Sequence, residues 1–110
     1  MKKNQKKPEI KLVFTGKYKE FTDFYDENKE SIYRSIIELF KRFDNSNNEK
    51  KTLTLSIFAK ISNLDWDTEF NFTKSESIIL KRDMMPYFEK IEDYETCGEI
   101  CELYKSLKGC

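Results

Sequence analysis

The sequence predicts an α+β fold: a small antiparallel sheet of about three strands, covered by helices and completed by a C-terminal helical hairpin. Three observations carry this expectation. Apolar and polar residues alternate with period two near residues 9–15, 52–62 and 66–73, the signature of half-buried strands. Apolar residues recur at helical spacing between and after those runs. The third is composition: 15% aromatic residues beside 36% charged ones describe a ring-rich core inside a heavily solvated surface. A chain of 110 residues supports one such core.

The elements follow in order. Residues 1–8 read as a disordered basic leader ending at Pro8, and residues 9–110 as a single domain. Glu9–Thr15 sets Ile10, Leu12 and Phe14 on one face of a strand that breaks at Gly16. Residues 17–27 suggest a short helix through Tyr18, Phe21, Phe24 and Tyr25. A second helix is expected to start at a cap on Asn28 or Ser31 and to bury Ile32, Ile36, Leu39, Phe40 and Phe43. It ends at Asp44, and 45–51 form a polar loop.

Thr52–Ser62 is the clearest strand, with Leu53, Leu55, Ile57, Ala59 and Ile61 on one face and Thr54, Ser56 and Lys60 on the other. Phe58 interrupts that alternation. A turn at Asn63 leads into Trp66–Thr73, where Trp66, Phe70 and Phe72 share a face, and the pair reads as an antiparallel hairpin. Thr73 and Glu76 match a capping box that opens a helix carrying Ile78, Ile79, Met84, Met85, Tyr87, Phe88 and Ile91. Pro86 kinks or divides that helix, and Asp83 is the expected cap of its second piece. The last helix begins near Asp93, carries Tyr94, Cys97, Ile100, Cys101, Tyr104 and Leu107 as its apolar stripe, and stops at Gly109.

Composition excludes several kinds of chemistry. No histidine occurs, which removes the commonest general base and the imidazole metal ligands together. Three glycines, at 16, 98 and 109, cannot build a phosphate-binding loop. Cys97, Cys101 and Cys110 supply three thiolates, one short of a structural zinc site. Neither an enzyme active site nor a cofactor or metal is therefore expected, and the thiols read as small apolar groups, with Cys110 exposed. No signal peptide or membrane span is legible, so a cytoplasmic location without membrane contact is expected. The abundance of Lys, Asn, Ile, Phe and Tyr suggests AT-rich coding sequence, as in a low-GC bacterium or its phage.

Net charge is zero but unevenly spread. Residues 1–62 carry fourteen basic and nine acidic side chains, whereas residues 63–110 carry six and eleven. Such polarity can steer a partner of either sign. Glu92, Glu95, Glu99 and Glu102 form an acidic face on the last helix and are the candidate protein-binding residues, together with Trp66, the sole tryptophan. Core packing is the competing reading of Trp66, whose parity matches Phe70 and Phe72. The alternative candidates are Lys2, Lys3, Lys6 and Lys7, a basic arm suited to phosphate contacts.

Residues 76–108 also carry a resemblance. The spacing of Tyr94, Glu95, Ile100, Glu102 and Leu107, with Met85 upstream, resembles the UVR motif, the helical hairpin of the UvrB and UvrC repair proteins. Cys101 stands where that motif has arginine, Cys97-Gly98 where it has two alanines, and Pro86 interrupts its first helix. The resemblance implies a protein–protein docking hairpin rather than an activity. Three functions follow as expectations. The first is a small non-enzymatic module that docks to a partner protein, or to further copies of itself as a homo-oligomer. The second is a phage-type inhibitor or modulator of a host nucleic-acid-processing complex, acting through the acidic face. The third is a nucleic-acid-binding accessory that uses the Lys-rich arm.

Overall fold

The computed structural model describes residues 9–43 and 52–107. The basic leader, the expected helix end at Asp44, the 45–51 loop, Lys108, Gly109 and Cys110 lie outside the described residues. The order is β1 (Ile10–Tyr18), α1 (Phe21–Lys41), β2 (Thr52–Ile61) and β3 (Leu64–Thr73). A 3-10 turn (Lys74–Ser77), a π-helical turn (Leu80–Met84), α2 (Met85–Lys90) and α3 (Tyr94–Leu107) complete it. This is the α+β architecture with a C-terminal helical hairpin. One correction applies to the sheet: in the order β1-β2-β3, β2 and β3 are antiparallel, but β1 runs parallel to β2. Parallel neighbours need a crossover, and α1 is that crossover.

β2 supplies the centre of the core. Leu53, Leu55, Ile57 and Ala59 are 0–1% exposed, because alternate side chains of a middle strand face the covering helix. Each of the three larger ones contributes roughly 1.5–3 kcal/mol by leaving water. The hairpin turn at Ser62-Asn63 has both residues at positive φ (55° and 64°), matching the right-handed twist of the strands it joins. β1 does not break at Gly16. Its register shifts between Val13 and Lys17, a bulge at which a Cβ on Gly16 would lie 2.8 Å from the Tyr18 hydroxyl.

A second correction concerns α1, a single 21-residue helix rather than two. Asn28 does not cap it. The Asn28 amide donates to the Phe24 carbonyl (2.9 Å) and to the Tyr18 hydroxyl (3.1 Å), so its polar group is satisfied inside the helix. The expected Ile32, Ile36, Leu39, Phe40 and Phe43 are buried, joined by Phe24 and Ile37. α1 lies across β1 and β2, with Phe24 edge-to-face on Phe14 and Phe40 against Phe72.

β3 sits at the margin of this cover: Phe70 stays 44% and Leu64 70% exposed. The other face of the sheet carries no described helix. There Val13 is exposed, Phe58 half-buried, and Lys11, Ser56, Asp67 and Glu69 help to line a shallow depression of about 610 Å³.

After β3 the chain is segmented. The capping box is present: Glu76 Oε1 accepts the Thr73 backbone N–H at 2.7 Å. Pro86 falls in the first turn of α2, where a missing N–H costs least, and the π turn before it lets the Met85 N–H reach back to the Leu80 carbonyl. Asp83 caps nothing and instead pairs with Arg82 at 2.9 Å. The buried positions of this region are Ser77, Leu80, Met84 and Phe88. No described helix is long and apolar enough to cross a membrane.

Candidate functional site

The C-terminal hairpin takes its shape from a polar turn. α2 ends with Glu92 in the left-handed region (φ 61°). The Asp93 N–H returns to the Phe88 carbonyl at 2.9 Å, and the Glu92 N–H to the Glu89 carbonyl at 3.0 Å. Those two bonds define a Schellman motif, here built without the usual glycine. Asp93 then caps α3: its Oδ1 accepts the Thr96 N–H (3.2 Å) and its Oδ2 the Thr96 hydroxyl (2.8 Å).

Arg34 of α1 closes the arrangement. Its guanidinium donates to Asp93 Oδ2 (2.6 Å), Thr96 Oγ1 (3.1 Å) and Glu30 Oε2 (2.9 Å), and it stands 5.0 Å from the Phe88 ring centre. The hydrogen bond from Arg34 first, and those from Thr96 next, hold the Asp93 carboxyl below the usual carboxylate range. Arg34 itself is pushed further up by the same contact and by Glu30. Sequence reading missed this latch, because its partners are about 60 residues apart and Thr96 looks like a surface residue.

The expected stripe on α3 is also corrected. Its buried side chains are Thr96, Ile100, Leu103 and Leu107, whereas Tyr94 is 66% exposed and Cys97, Cys101 and Tyr104 are half-buried at the flank. The Cys97 thiol is pushed up by burial, then by Glu89 and Asp93, so its nucleophilic thiolate is disfavoured. Among the described residues no group of three Cys, Asp or Glu is placed to hold a metal ion.

The four glutamates do not share one environment. Glu95, Glu99 and Glu102 fall on one flank of α3 and are exposed. Glu99 lies 3.8 Å from Lys41, which also pairs with Glu38 at 2.8 Å. Glu95 and Glu102 make no ion pair among the described residues, and Glu92 is tied to the turn by its backbone. Lys41, Gly98, Glu99, Glu102 and Leu103 line an open groove of about 640 Å³ between α1 and α3.

Trp66 belongs elsewhere. It is half-buried, edge-to-face with Phe21 (5.2 Å) and Phe24 (5.7 Å) at the start of α1. Glu99 meets the opposite end of that helix at Lys41, roughly 25 Å away along the axis at 1.5 Å per residue. The tryptophan and the glutamates therefore do not form one site. Lys2, Lys3, Lys6 and Lys7 lie outside the described residues. What the sequence did not expose is an apolar pair at the hairpin tip: Ile91 is 43% exposed and Tyr94 66%, with Glu92 and Glu95 beside them. Comparisons with protein-family models, curated proteins and solved structures find no match to this chain.

Proposed function

We propose that the protein is a small, non-enzymatic docking module, cytoplasmic, whose C-terminal hairpin contacts a basic surface of a partner protein. The observation that carries this reading is the tip of the hairpin. Tyr94 and Ile91 keep large apolar surface in water on a turn that caps and an arginine latch hold rigid. Apolar side chains flanked by Glu92 and Glu95 suit an interface with a small apolar centre and a charged rim. The half-buried thiols and the lack of any histidine favour docking over catalysis. The resemblance of residues 76–108 to the UVR hairpin points the same way.

The structure selects the variants. Glu95→Lys with Glu102→Lys reverses two acids that hold nothing in place, whereas Glu92 and Glu99 have structural company. We expect the double variant, and separately Tyr94→Ala, to keep the far-ultraviolet spectrum and melting temperature while weakening capture of the cellular partner at least tenfold, about 1.4 kcal/mol. Deleting residues 1–7 is expected to change capture little. Unchanged capture by both variants, with loss on deletion, would transfer binding to the basic arm and make nucleic acid the first partner to test.

A second reading is favoured by the concentration of acids in residues 63–110. In it the captured partner is a nucleic-acid-processing protein, whose phosphate-binding surface the exposed glutamates occupy. Competition between this protein and DNA or RNA for that partner separates the two readings.

A further inference from the structure

We infer that the free edge of β3 accepts an extended segment of a partner protein as a fourth strand, one in which lysine or arginine alternates with apolar residues. This surface is separate from the helical hairpin. β3 is ten residues long and bonds β2 on one side only. In an antiparallel edge strand about every second residue turns its N–H and C=O outward, unpaired. Among the described residues no backbone bond reaches those groups from elsewhere, and the one side chain that takes a β3 amide is Glu76, at Thr73 on the strand's end.

The side chains of β3 specify what fits. On the uncovered face of the sheet, Asp65, Asp67 and Glu69 succeed one another at alternate positions, opposite Lys60, Phe58 and Ser56. Lys60 pairs with Asp65 at 2.8 Å, but Asp67 and Glu69 form no ion pair among the described residues, although Lys11 on β1 lines the same depression. On the other face Leu64 and Phe70 lie beyond the cover of α1. An incoming strand that places cations beside Asp67 and Glu69 places apolar side chains beside Leu64 and Phe70, since its own faces alternate with the same period. Main-chain bonds then supply affinity and the alternate side chains supply selectivity.

The same acids disfavour a second copy of this chain as the occupant. Antiparallel pairing of β3 with itself, in any register centred on residues 66 to 68, sets acid opposite acid, which is destabilising. β1 is the poorer edge, because its bulge between Val13 and Lys17 interrupts the ladder.

The probe is a capped ten-residue peptide in which lysine alternates with valine and threonine, titrated into the intact protein and followed by amide NMR shifts and hydrogen exchange. Saturable binding is expected, with shifts and slowed exchange concentrated in residues 64–73. Three controls are expected to bind at least tenfold more weakly: the peptide methylated at alternate backbone nitrogens, its Lys→Glu counterpart, and the original peptide on Asp67→Lys/Glu69→Lys protein. Asp67→Asn/Glu69→Gln serves if the reversal disturbs folding. Equal binding of the N-methylated peptide would overturn strand addition in favour of bare charge contact. Shifts confined to residues 91–102, absence of binding, or a concentration-dependent oligomer that already protects the β3 amides would each overturn it as well.

Discussion

Between Leu53 and Ala59, alternate side chains vanish from solvent and stabilise the fold by burial; between Met84 and Thr96, only Met84 and Phe88 enter the apolar core, and from Glu89 onward polar contacts set the turn. The second region passes from π-helical to α-helical geometry, turns through a left-handed glutamate, and depends on Arg34 reaching across from α1. It also leaves Ile91 and Tyr94 in water, which the strand never does. The contrast separates two tasks. Burial on β2 secures the domain, and it fixes little about the surface. The caps and the latch add less stability, but they aim an exposed tip in one direction, which is what a docking surface requires.

The largest expected effect tests the strand. Ile57→Ala removes a side chain 1% exposed and should cost about 2–4 kcal/mol in denaturant unfolding, the lost transfer energy plus a cavity. Thr54→Ala, on the uncovered face, should cost well under about 1 kcal/mol, although its hydroxyl donates to Asn71 at 2.7 Å. Equal losses at the two positions would mean that both faces of the sheet are covered, and the contrast between faces would fail.

An intermediate effect tests the latch. Arg34→Ala removes three hydrogen-bond partners and the stacking on Phe88, but the side chain is 44% exposed, so solvent screening holds the cost near about 1 kcal/mol. The pH dependence identifies the cause. Asp93 has a carboxyl lowered on folding, so its contribution is complete above the unfolded value near about pH 4 and lost as pH falls through the folded value. The stability difference between wild type and Arg34→Ala should therefore be constant near neutrality and shrink below about pH 4. A difference that persists undiminished into strong acid would assign the effect to packing on Phe88.

These two regions also differ in how far the sequence revealed them. The β2–β3 hairpin was legible because burial there follows strict parity, from Leu53 through Ala59, and because a short polar turn admits one connection. Parity is silent about direction, however: Ile10, Leu12 and Phe14 face the core whether β1 runs parallel or antiparallel, so the mixed sheet was not readable. On α3 the error had a chemical cause. Thr96 is buried because Asp93 and Arg34 satisfy its hydroxyl, and a hydrophobicity pattern has no means of predicting a satisfied polar residue in the core. That one substitution rotated the expected stripe onto Tyr94, Cys97, Cys101 and Tyr104, and so hid the exposed tyrosine on which the docking proposal rests. The acidic flank was found as a face, whereas its division into paired Glu99 and unpaired Glu95 and Glu102 depended on where Lys41 falls in space.

The smallest expected effect is the sharpest test of what the turn is for. Glu92 sits at φ 61°, a conformation that costs a side chain with a Cβ roughly 1–2 kcal/mol and glycine almost nothing. Glu92→Gly should recover that strain but lose about 0.5–1 kcal/mol to the greater freedom of the unfolded chain, for a net stabilisation of about 0.5 kcal/mol. Glu92→Ala keeps the strain and should be nearly neutral, which separates backbone geometry from the carboxylate. Thermal unfolding of the two variants reads the stability, and exchange of the Asp93 amide reads the turn itself. If glycine stabilises and alanine does not, Glu92 is in place for its backbone at an energetic cost, and only its charge is open to a partner. If both variants destabilise by about 1 kcal/mol or more, the carboxylate itself holds the hairpin closed. Glu92 would then leave the proposed docking face, and the tip would present Tyr94, Ile91 and Glu95 alone.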